Sequence, residues 1–223
     1  MTKMYKYELH CHTGPVSRCA KIEPKKLVRL YADKGYDGIV LTDHYSPMTF
    51  LKSAMLFPQF EKKHFLASYR ELKNYCGKDF TVLLGMEHRH YFVVNDYLIY
   101  GIDEDFILNH GNMLLWSERK VYNEIHKIGG LVYQAHPFRP LIYPCNPKYI
   151  DGVEILNGHT ADELNQKAAL WAKEIGKPVI SGSDFHTEGQ PICGGICTDT
   201  KITSNEELVD VLKNGRYELV WNR

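Results

Sequence analysis

The feature that most constrains the fold is a regular alternation of short apolar strands with amphipathic helices. A first strand ends near His10, and the stretch EPKKLVRLYADKG (23–35) then has apolar residues at helical spacing and a helix-terminating Gly35. The apolar run YDGIVLTDH (36–44) indicates a second strand. Strands that alternate with helices predict βαβ crossovers and a largely parallel sheet, which fits either a closed barrel or a doubly wound sheet.

The same alternation continues to the end of the sequence. Further helices are predicted at 60–77, 117–130, 161–176 and 205–215, and further strands at 79–88, 89–94, 96–102, 131–137, 151–157, 178–186 and 216–222. A length of 223 residues with 44% hydrophobic residues is enough for one substantial core. No repeat or linker divides the sequence, so we expect a single domain over residues 1–223.

Composition narrows the function classes. The formal net charge is zero and the basic residues are scattered, which argues against a protein that grips long nucleic acid. The sequence has neither an apolar run long enough for a membrane helix nor an N-terminal signal peptide, so we expect a cytoplasmic protein without membrane contact. In that compartment the six cysteines are expected to be free thiols.

Strand after strand ends in a side chain that can bind a metal ion. Residues i and i+2 of an extended strand share a face, so His10 and His12 are expected side by side. In parallel β/α folds the carboxyl ends of the strands meet on one face, where loops build the active site. The predicted metal ligands at these ends are His10, His12, His44, Glu87, His136, Asp184 and His186.

This mixture of imidazole nitrogen and carboxylate oxygen suits zinc, iron or manganese. The set exceeds what one ion takes, so we expect two or three divalent transition-metal ions, with Glu87 or Asp184 as a bridge. Such a centre makes a nucleophilic hydroxide at neutral pH and holds an oxyanion substrate by its oxygens. The predicted chemistry is hydrolysis.

Strand parity separates the ligands from their neighbours. Asp43 and His44 are adjacent and cannot both face the metals in extended backbone, so His44 is assigned as a ligand and Asp43 as a residue that orients one. His88 and His90 have the opposite parity to Glu87 and are expected to point away.

The chain resembles the PHP (polymerase and histidinol phosphatase) family of metal-dependent phosphoesterases. The resemblance rests on five motifs in the family's order, spread over residues 8 to 186: ELHCHT, LTDH, GME, AHP and GSDFH. It implies an α/β fold of a particular kind, a distorted (β/α)7 TIM-like barrel with a di- or trinuclear metal site at the carboxyl ends of its strands.

The resemblance also implies how the ligands are shared. A first ion is bound by His10, His12, Glu87 and Asp184. A second ion is bound by Glu87 and His136, and a third by His44, His186 and Asp184.

Two positions depart from the trinuclear pattern. Where some members have a further histidine shortly after the first motif, the segment SRCA places Arg18. Where a histidine follows a later strand, DYLIYGID offers Asp103 or Tyr97 as a replacement ligand. Arg18 and Arg139 are expected to bind the substrate phosphate, because a guanidinium pairs with two phosphate oxygens at once.

The resulting prediction is an enzyme that hydrolyses a phosphate monoester of a small metabolite, such as histidinol phosphate or a nucleotide, with Asp184 and His186 as catalytic residues. A small phosphorylated substrate is the expected partner. The alternatives are a phosphodiesterase or nuclease, a phosphotyrosine phosphatase, an amidohydrolase that cleaves a C–N bond, and a metal-binding regulatory module without catalysis. An amidohydrolase is disfavoured because no lysine stands at a strand end suited to bridging metals.

Overall fold

A computed structural model describes residues 3–50, 58–91 and 93–222, and of residues 58–61 it describes the backbone only. Over these residues the chain has a mixed α/β fold. The strands are β1 (Tyr5–Cys11), β2 (Gly38–Leu41), β3 (His44–Tyr45), β4 (Thr81–Leu84), β5 (Met86–Arg89), β6 (Asp96–Tyr100), β7 (Leu131–Gln134), β8 (Gly152–Asn157), β9 (Val179–Gly182), β10 (Ile196–Thr198) and β11 (Glu218–Leu219). The helices are α1 (Pro24–Asp33), α2 (Pro58–Phe65), α3 (Ala67–Cys76), α4 (Glu104–Asn109), α5 (Glu118–Lys127), α6 (Asp162–Ile175) and α7 (Asn205–Lys213), with short 3-10 helices at Met113–Leu115 and Pro147–Tyr149.

The strands form two sheets, and the chain passes between them more than once. One has the order β11-β10-β1-β2-β4, and the other has the order β3-β5-β6-β7-β8-β9. Five of the nine neighbouring pairs of described strands are parallel, fewer than the alternating sequence predicts. β10 runs antiparallel to β1 and β11, and β6 runs antiparallel to both β5 and β7. This reversal puts the amino end of β6 beside the carboxyl end of β5.

The two sheets meet along a seam between β1 and the residues after β9. Cys11 and Phe185 form an isolated parallel bridge. The backbone N–H of His12 donates to the carbonyl oxygen of Phe185 at 3.0 Å, and that of Phe185 donates to the carbonyl oxygen of His10 at 3.4 Å. The histidine motif at the end of β1 is therefore held directly against the GSDFH motif.

One apolar core is shared by both sheets. It contains Leu9 of β1, Leu98 of β6, Tyr133 of β7 and Ile180 of β9, together with Leu208 of α7. All five side chains are almost fully buried. Burial of such side chains stabilises the fold by about 1.5–3 kcal/mol each, so this core fixes the strands whose ends carry the polar motifs.

A buried carboxylate lies under the same seam. Glu8 accepts hydrogen bonds from the backbone N–H of His10 at 2.8 Å and of Ser183 at 2.9 Å, and from the hydroxyl of Tyr31 at 2.9 Å. Burial raises the pKa of Glu8, although these hydrogen bonds oppose the rise. Glu8 thus ties β1, α1 and the residues after β9 at one point.

Several predicted elements differ from the structure. The strands predicted at 36–44 and 79–88 are each divided between the two sheets, the first into β2 and β3 and the second into β4 and β5. The helix predicted at 60–77 is two helices, α2 and α3, on either side of Leu66, whose backbone N–H still donates to Lys62 O. Of the strand predicted at 89–94, only Arg89 lies in a strand, as the last residue of β5, and the described residues 90, 91 and 93–95 have no strand structure. Phe92, which that prediction included, lies outside the described residues.

The cysteines are free thiols, as predicted. In the described part of the chain no helix combines the length and the apolar character needed to cross a bilayer.

The close approach of two glycines near the seam gives a test of this packing. A Cβ atom added to Gly194 would lie 2.2 Å from the carbonyl carbon of Gly182, whereas one added to Gly111 would meet no atom within 4 Å. We expect Gly194→Ala to lower the free energy of unfolding by about 1–3 kcal/mol and Gly111→Ala to change it by less than about 0.5 kcal/mol. Urea unfolding measures both, and equal stabilities of the two variants would contradict the packing described.

Candidate metal centre

The ends of β1, β3, β5 and the segment after β9 bring the predicted ligands to one place. His10 and His12 are both completely buried, with ring centroids 5.0 Å apart, as their shared strand face predicts. The parallel pairing of β3 with β5 sets His44 opposite Glu87. The pairing of the strands by itself therefore brings these side chains together.

Four buried donor atoms in this cluster have no hydrogen-bond partner among the described residues. They are His10 Nε2, His12 Nε2, Glu87 Oε2 and Asp184 Oδ1. Of these, Glu87 Oε2 has the ring of His44 beside it, with Nδ1 at 2.6 Å. Asp184 Oδ1 lies 3.4 Å from His10 Nε2 and 3.3 Å from His12 Nε2, and His12 Nε2 lies 3.4 Å from Glu87 Oε2. Unpartnered buried polar atoms are costly and rare, so their convergence from separate strands fits a bound cation, and the imidazole and carboxylate donors suit zinc, iron or manganese.

The electrostatics of the cluster favour positive charge between its carboxylates. Burial lowers the pKa of His10, but the charges of Asp184, Glu154 and Glu87 outweigh burial and raise that pKa well above its usual range. Burial raises the pKa of Glu87 and of Asp184, but neighbouring imidazoles, and for Asp184 also Arg139, lower both pKa values well below the usual range. Both carboxylates are therefore ionised, and a cation between them is stabilised.

A second group of donors contains Glu87, His136 and Asp96, whose ligand atoms lie within 4.8 Å of one another. His136 Nε2 is 3.0 Å from Glu87 Oε1 and 3.9 Å from Asp96 Oδ2. Sequence reasoning missed Asp96 because it considered only the carboxyl ends of strands. Asp96 is the first residue of β6. Because β6 runs antiparallel to β5, its amino end lies at the carboxyl end of β5, and Asp96 pairs with Arg89 there.

A third group contains His12, His44 and His186, again with ligand atoms within 4.8 Å. The ring of His12 lies 4.3 Å from that of His44 and 4.2 Å from that of His186. The Nδ1 atom of His186 donates to the carbonyl oxygen of Asp184 at 2.8 Å, so the Nε2 atom of His186 is left to face His44 Nε2 at 3.5 Å. Two nitrogens therefore face each other at the floor of the cavity described below.

Glu154 is hydrogen-bonded to two of the predicted ligands, His10 and His136, and the sequence did not suggest this role. Its carboxylate accepts from His10 Nδ1 at 2.8 Å and from the backbone N–H of His136 at 3.1 Å. Asn157, at the end of the same strand, donates to Glu154 at 2.9 Å and to Asp184 at 3.2 Å. The signal in the sequence is a carboxylate inside the otherwise apolar run GVEIL. Such partners fix which nitrogen of a ligating histidine faces the metal.

Asp43 has the orienting position predicted for it. It accepts from the Thr13 backbone N–H at 2.7 Å, the Thr13 hydroxyl at 2.6 Å and the Ser17 hydroxyl at 2.7 Å. The Ser17 hydroxyl in turn accepts from the backbone N–H of His44 at 2.9 Å. Asp43 therefore fixes the segments that carry His12 and His44 without entering the cluster of ligands.

Backbone strain coincides with two predicted ligands. His136 has φ of 29° and Asp184 has φ of 52°, in the left-handed region that non-glycine residues rarely adopt. Each lies two residues after the end of a strand, β7 for His136 and β9 for Asp184. Strain of this kind costs about 1–3 kcal/mol per residue and persists where the surroundings over-determine it.

The proposed replacement ligands are not in the cluster. Asp103 caps α4 by accepting from the backbone N–H of Phe106 at 2.7 Å, and Tyr97 donates its hydroxyl to Glu118. Neither residue belongs to the donor groups of the described residues, whereas Asp96 does. His88 and His90 point away, as predicted: His88 donates to Met113 O at 3.1 Å and His90 to Trp116 O at 2.5 Å.

A cavity of about 480 Å³ opens above the cluster. Its lining includes the predicted phosphate-binding residues Arg18 and Arg139. Arg139 donates to Asp184, and to Asn157 Oδ1 at 3.1 Å. His159, which follows β8, also lines the cavity.

Cys19 lines the cavity as well. Partial burial raises the pKa of its thiol, but contacts with His186 and His44 outweigh burial and lower that pKa to about 6. Sequence reasoning treated this cysteine as an ordinary thiol.

The position of Asp96 gives a matched test. Asp96→Asn removes a carboxylate from the group of Glu87 and His136, so we expect the affinity for one metal ion to fall at least about tenfold. Asp103→Asn keeps a side chain that caps a helix equally well, so metal affinity and stability should stay unchanged. Metal titration by calorimetry measures both variants. A larger loss of affinity in Asp103→Asn than in Asp96→Asn would contradict the assignment.

Comparison with known proteins agrees with the motifs. Residues 162–217, from α6 to the end of the chain's last helix and the turn after it, match the family described as PHP-associated. No curated protein sequence matches the chain.

Solved structures share the fold over nearly the whole chain. A two-domain protein from Bacteroides vulgatus ATCC 8482, which contains a predicted PHP-like metal-dependent phosphoesterase, is 17% identical with a TM-score of 0.68, over 99% of this chain and 65% of that one. This chain therefore spans less than two thirds of that protein. PsfC from Pseudomonas syringae PB-5123 is 11% identical with a TM-score of 0.71, over 99% of this chain and 92% of that one.

Endonuclease Q, in complex with a 27-mer duplex that carries an abasic lesion at the active site, is 14% identical with a TM-score of 0.63, over 95% of this chain and 57% of that one. The PHP resemblance is thus confirmed by the family match and by the shared fold. The expectation that long nucleic acid is excluded has no support, because a protein of this fold binds a DNA duplex.

Proposed function

We propose that this protein is a metal-dependent phosphoesterase that hydrolyses a phosphate monoester of a small metabolite. The observation that carries the proposal is the convergence of His10, His12, Glu87 and Asp184, whose buried donor atoms lie 3.3–3.5 Å apart. A cavity next to them is lined by His44, His186 and Asp96. The PHP-like fold supports the same class of chemistry.

The residues present fit two or three zinc, iron or manganese ions. His10, His12, Glu87 and Asp184 would hold one ion, Glu87, Asp96 and His136 a second, and His44 and His186 with His12 or Asp184 a third. Ions held there would lower the pKa of water and neutralise charge on the phosphoryl group. Glu87 has one oxygen toward His136 and the other toward His12, which suits a bridging role.

The rim of the cavity is built to receive an anion. Arg18, Lys21, Arg89 and Arg139 all line it. Two of these cations are neutralised by the protein, because Arg89 pairs with Asp96 and Arg139 pairs with Asp184. Arg139 keeps a buried Nε–H without a partner among the described residues. We assign Arg139 and Arg18 to the phosphate oxygens, in agreement with the sequence-based prediction.

Asp184 and His186 are assigned as the catalytic residues. Asp184 joins the cluster through Oδ1 and orients Arg139 through Oδ2, so it links the bound phosphate to the metal donors. His186 presents Nε2 to the cavity because its Nδ1–H is held by the carbonyl of Asp184. In molecules where that nitrogen holds no metal ion, it is placed to protonate the leaving alcohol.

We further propose that residues 1–223 form one distorted (β/α)7 TIM-like barrel. In the chain, β3 follows β2 directly and β5 follows β4 directly, so each pair counts as one member of a ring. The bridge from Cys11 to Phe185 joins the two sheets. Together these features support a single ring in the order β1, β2 with β3, β4 with β5, β6, β7, β8 and β9. In this ring all the ligand groups lie on one rim, as the enzymes of this architecture require.

A nucleic-acid phosphodiester is the second candidate substrate. The fold shared with endonuclease Q favours it, and so do Arg18 and Lys21, for which no ion pair is seen within the described ranges. Contacts between such cations and the phosphates of a nucleic acid would make binding steeply salt-dependent.

Phosphate release tests the proposal. The full chain is reloaded with zinc, iron or manganese and assayed on a panel of small monoesters, a phosphotyrosyl peptide and an oligonucleotide. We expect metal-dependent release from a small monoester. His136→Ala and Asp184→Ala should each reduce it at least about a thousandfold, equivalent to ~4 kcal/mol in the barrier.

His64→Ala is the matched control, because His64 is an exposed histidine on α2. It should leave the rate unchanged, and circular dichroism should show that all three variants are folded. Turnover retained in both His136→Ala and Asp184→Ala would contradict the mechanism. Silence on every substrate from a metal-loaded protein would leave the regulatory module as the better account, and salt-sensitive cleavage of the oligonucleotide alone would select the second candidate.

A further inference from the structure

A second cavity, with a volume of about 340 Å³, lies at the other end of the strands from the metal centre. Its walls are the end of α3 with the residues after it, the start of β4, and the segment before α7. Thr81, which lines it, is the first residue of β4. Glu87, by contrast, lies beyond the carboxyl end of the same strand. The cavity is therefore separate from the site described above.

Positive charge dominates this cavity. Lys73, Lys78 and Lys201 line it, and none of the described residues that line it is acidic. Since the formal net charge of the whole chain is zero, the cavity is a local excess of cations. The carboxyl end of α3 contributes a partial negative charge of about one half, which compensates less than one of the three lysines. We refer to this site as the lysine cavity.

The three ammonium groups have no carboxylate partner in the part of the chain that the structure describes. The lysine ion pairs seen there are made by other residues, namely Lys3, Lys25, Lys26 and Lys127. Lys73 lies 5.9 Å from the ring centroid of Tyr69, a contact that leaves its charge uncompensated. Glu207 contacts the lining at Thr203, but its carboxylate accepts from the Thr203 backbone N–H at 2.6 Å and hydroxyl at 2.9 Å.

The walls of the lysine cavity are fixed by the fold. Ile202, between two lining residues, is completely buried. Its backbone N–H donates to the Tyr7 hydroxyl at 2.7 Å, and its carbonyl oxygen accepts from the Thr81 hydroxyl at 3.0 Å. Phe80 and Val82, which also line the cavity, belong to a buried core. The lysines therefore extend from rigid backbone, and a ligand can bind without the cost of ordering the chain.

We propose that the lysine cavity binds a phosphate-bearing small molecule. Lysine ammonium groups bind phosphate as point charges, and a phosphate monoester, with a charge of about −1.5 to −2 at neutral pH, would replace the missing carboxylates. The volume lies within the roughly 300–1,000 Å³ typical of small-molecule pockets. The inference goes beyond the phosphoesterase proposal and does not depend on it, because the two cavities lie at different ends of the strands.

Two thiols report on the two cavities in the same molecule. Cys76 lines the lysine cavity, and Cys19 lines the cavity at the metal centre. The full chain is treated with iodoacetamide with and without inorganic phosphate at constant ionic strength, and the modified peptides are quantified by mass spectrometry. We expect saturating phosphate to slow modification of Cys76 at least about fivefold, because the bound anion covers the thiol and disfavours the thiolate. Cys197, a partly buried thiol on β10 outside the lysine cavity, should react at an unchanged rate.

Substitution of the lysines tests the source of the protection. Lys73→Gln and Lys201→Gln each remove one positive charge from an exposed side chain, so the phosphate concentration needed to protect Cys76 should rise at least about fivefold in each. Lys34→Gln is the matched control, because Lys34 is an exposed lysine at the end of α1 and outside the lysine cavity. It should leave the protection unchanged, and circular dichroism should show that all variants are folded.

Equilibrium dialysis with radiolabelled phosphate counts the binding sites without a reactive thiol. The wild-type chain and Lys34→Gln should each bind one phosphate more than the double variant Lys73→Gln/Lys201→Gln. Equal numbers of sites in the double variant and the wild type, or protection of Cys76 that survives in the double variant, would overturn the inference. Protection of Cys19 alone would place the anion at the metal centre, which overturns the inference and leaves the phosphoesterase proposal intact.

Discussion

The burial of two carboxylates among imidazoles is the constraint on which the rest of the structure depends. Glu87 and Asp184 are about 1% exposed, and an ionised carboxylate removed from water is stable only when cations or hydrogen bonds replace the lost solvation. The protein supplies imidazoles, Arg139 and Asn157, yet Asp184 Oδ1 accepts no hydrogen bond from the described residues, and both carboxylates face one another across the same imidazoles. The remaining compensation is best provided by a bound metal cation.

The fold meets this constraint through strand ends and a layer of buried polar groups beneath them. Glu8 and Glu154 fix the backbone of β1 and the orientation of His10, and Asp43 fixes the segments around His12 and His44 through Thr13 and Ser17. Strained backbone at Asp184 turns its carboxylate into the cluster. Positioning by rigid strands and buried carboxylates is what a metal centre needs to hold its ligands at productive distances.

Much of this arrangement was predictable from the sequence, because strand period and polar strand ends are local signals. The alternation of side chains along a strand was enough to predict that His10 lies beside His12 and that His88 points away from the cluster. Asp96 was missed because its contribution depends on β6 running antiparallel, and strand direction is a tertiary property that periodicity does not encode. Glu154 was passed over for a related reason, because it acts through partners that are distant in sequence.

Anomalous diffraction from crystals of the metal-loaded protein tests the central claim most directly. Data collected on both sides of the absorption edge of the loaded metal locate each ion independently of catalysis. The account predicts a peak bounded by His10, His12, Glu87 and Asp184, with at least one further peak beside His136 or His44. Fully ordered side chains at these positions with no anomalous peak between them would contradict it.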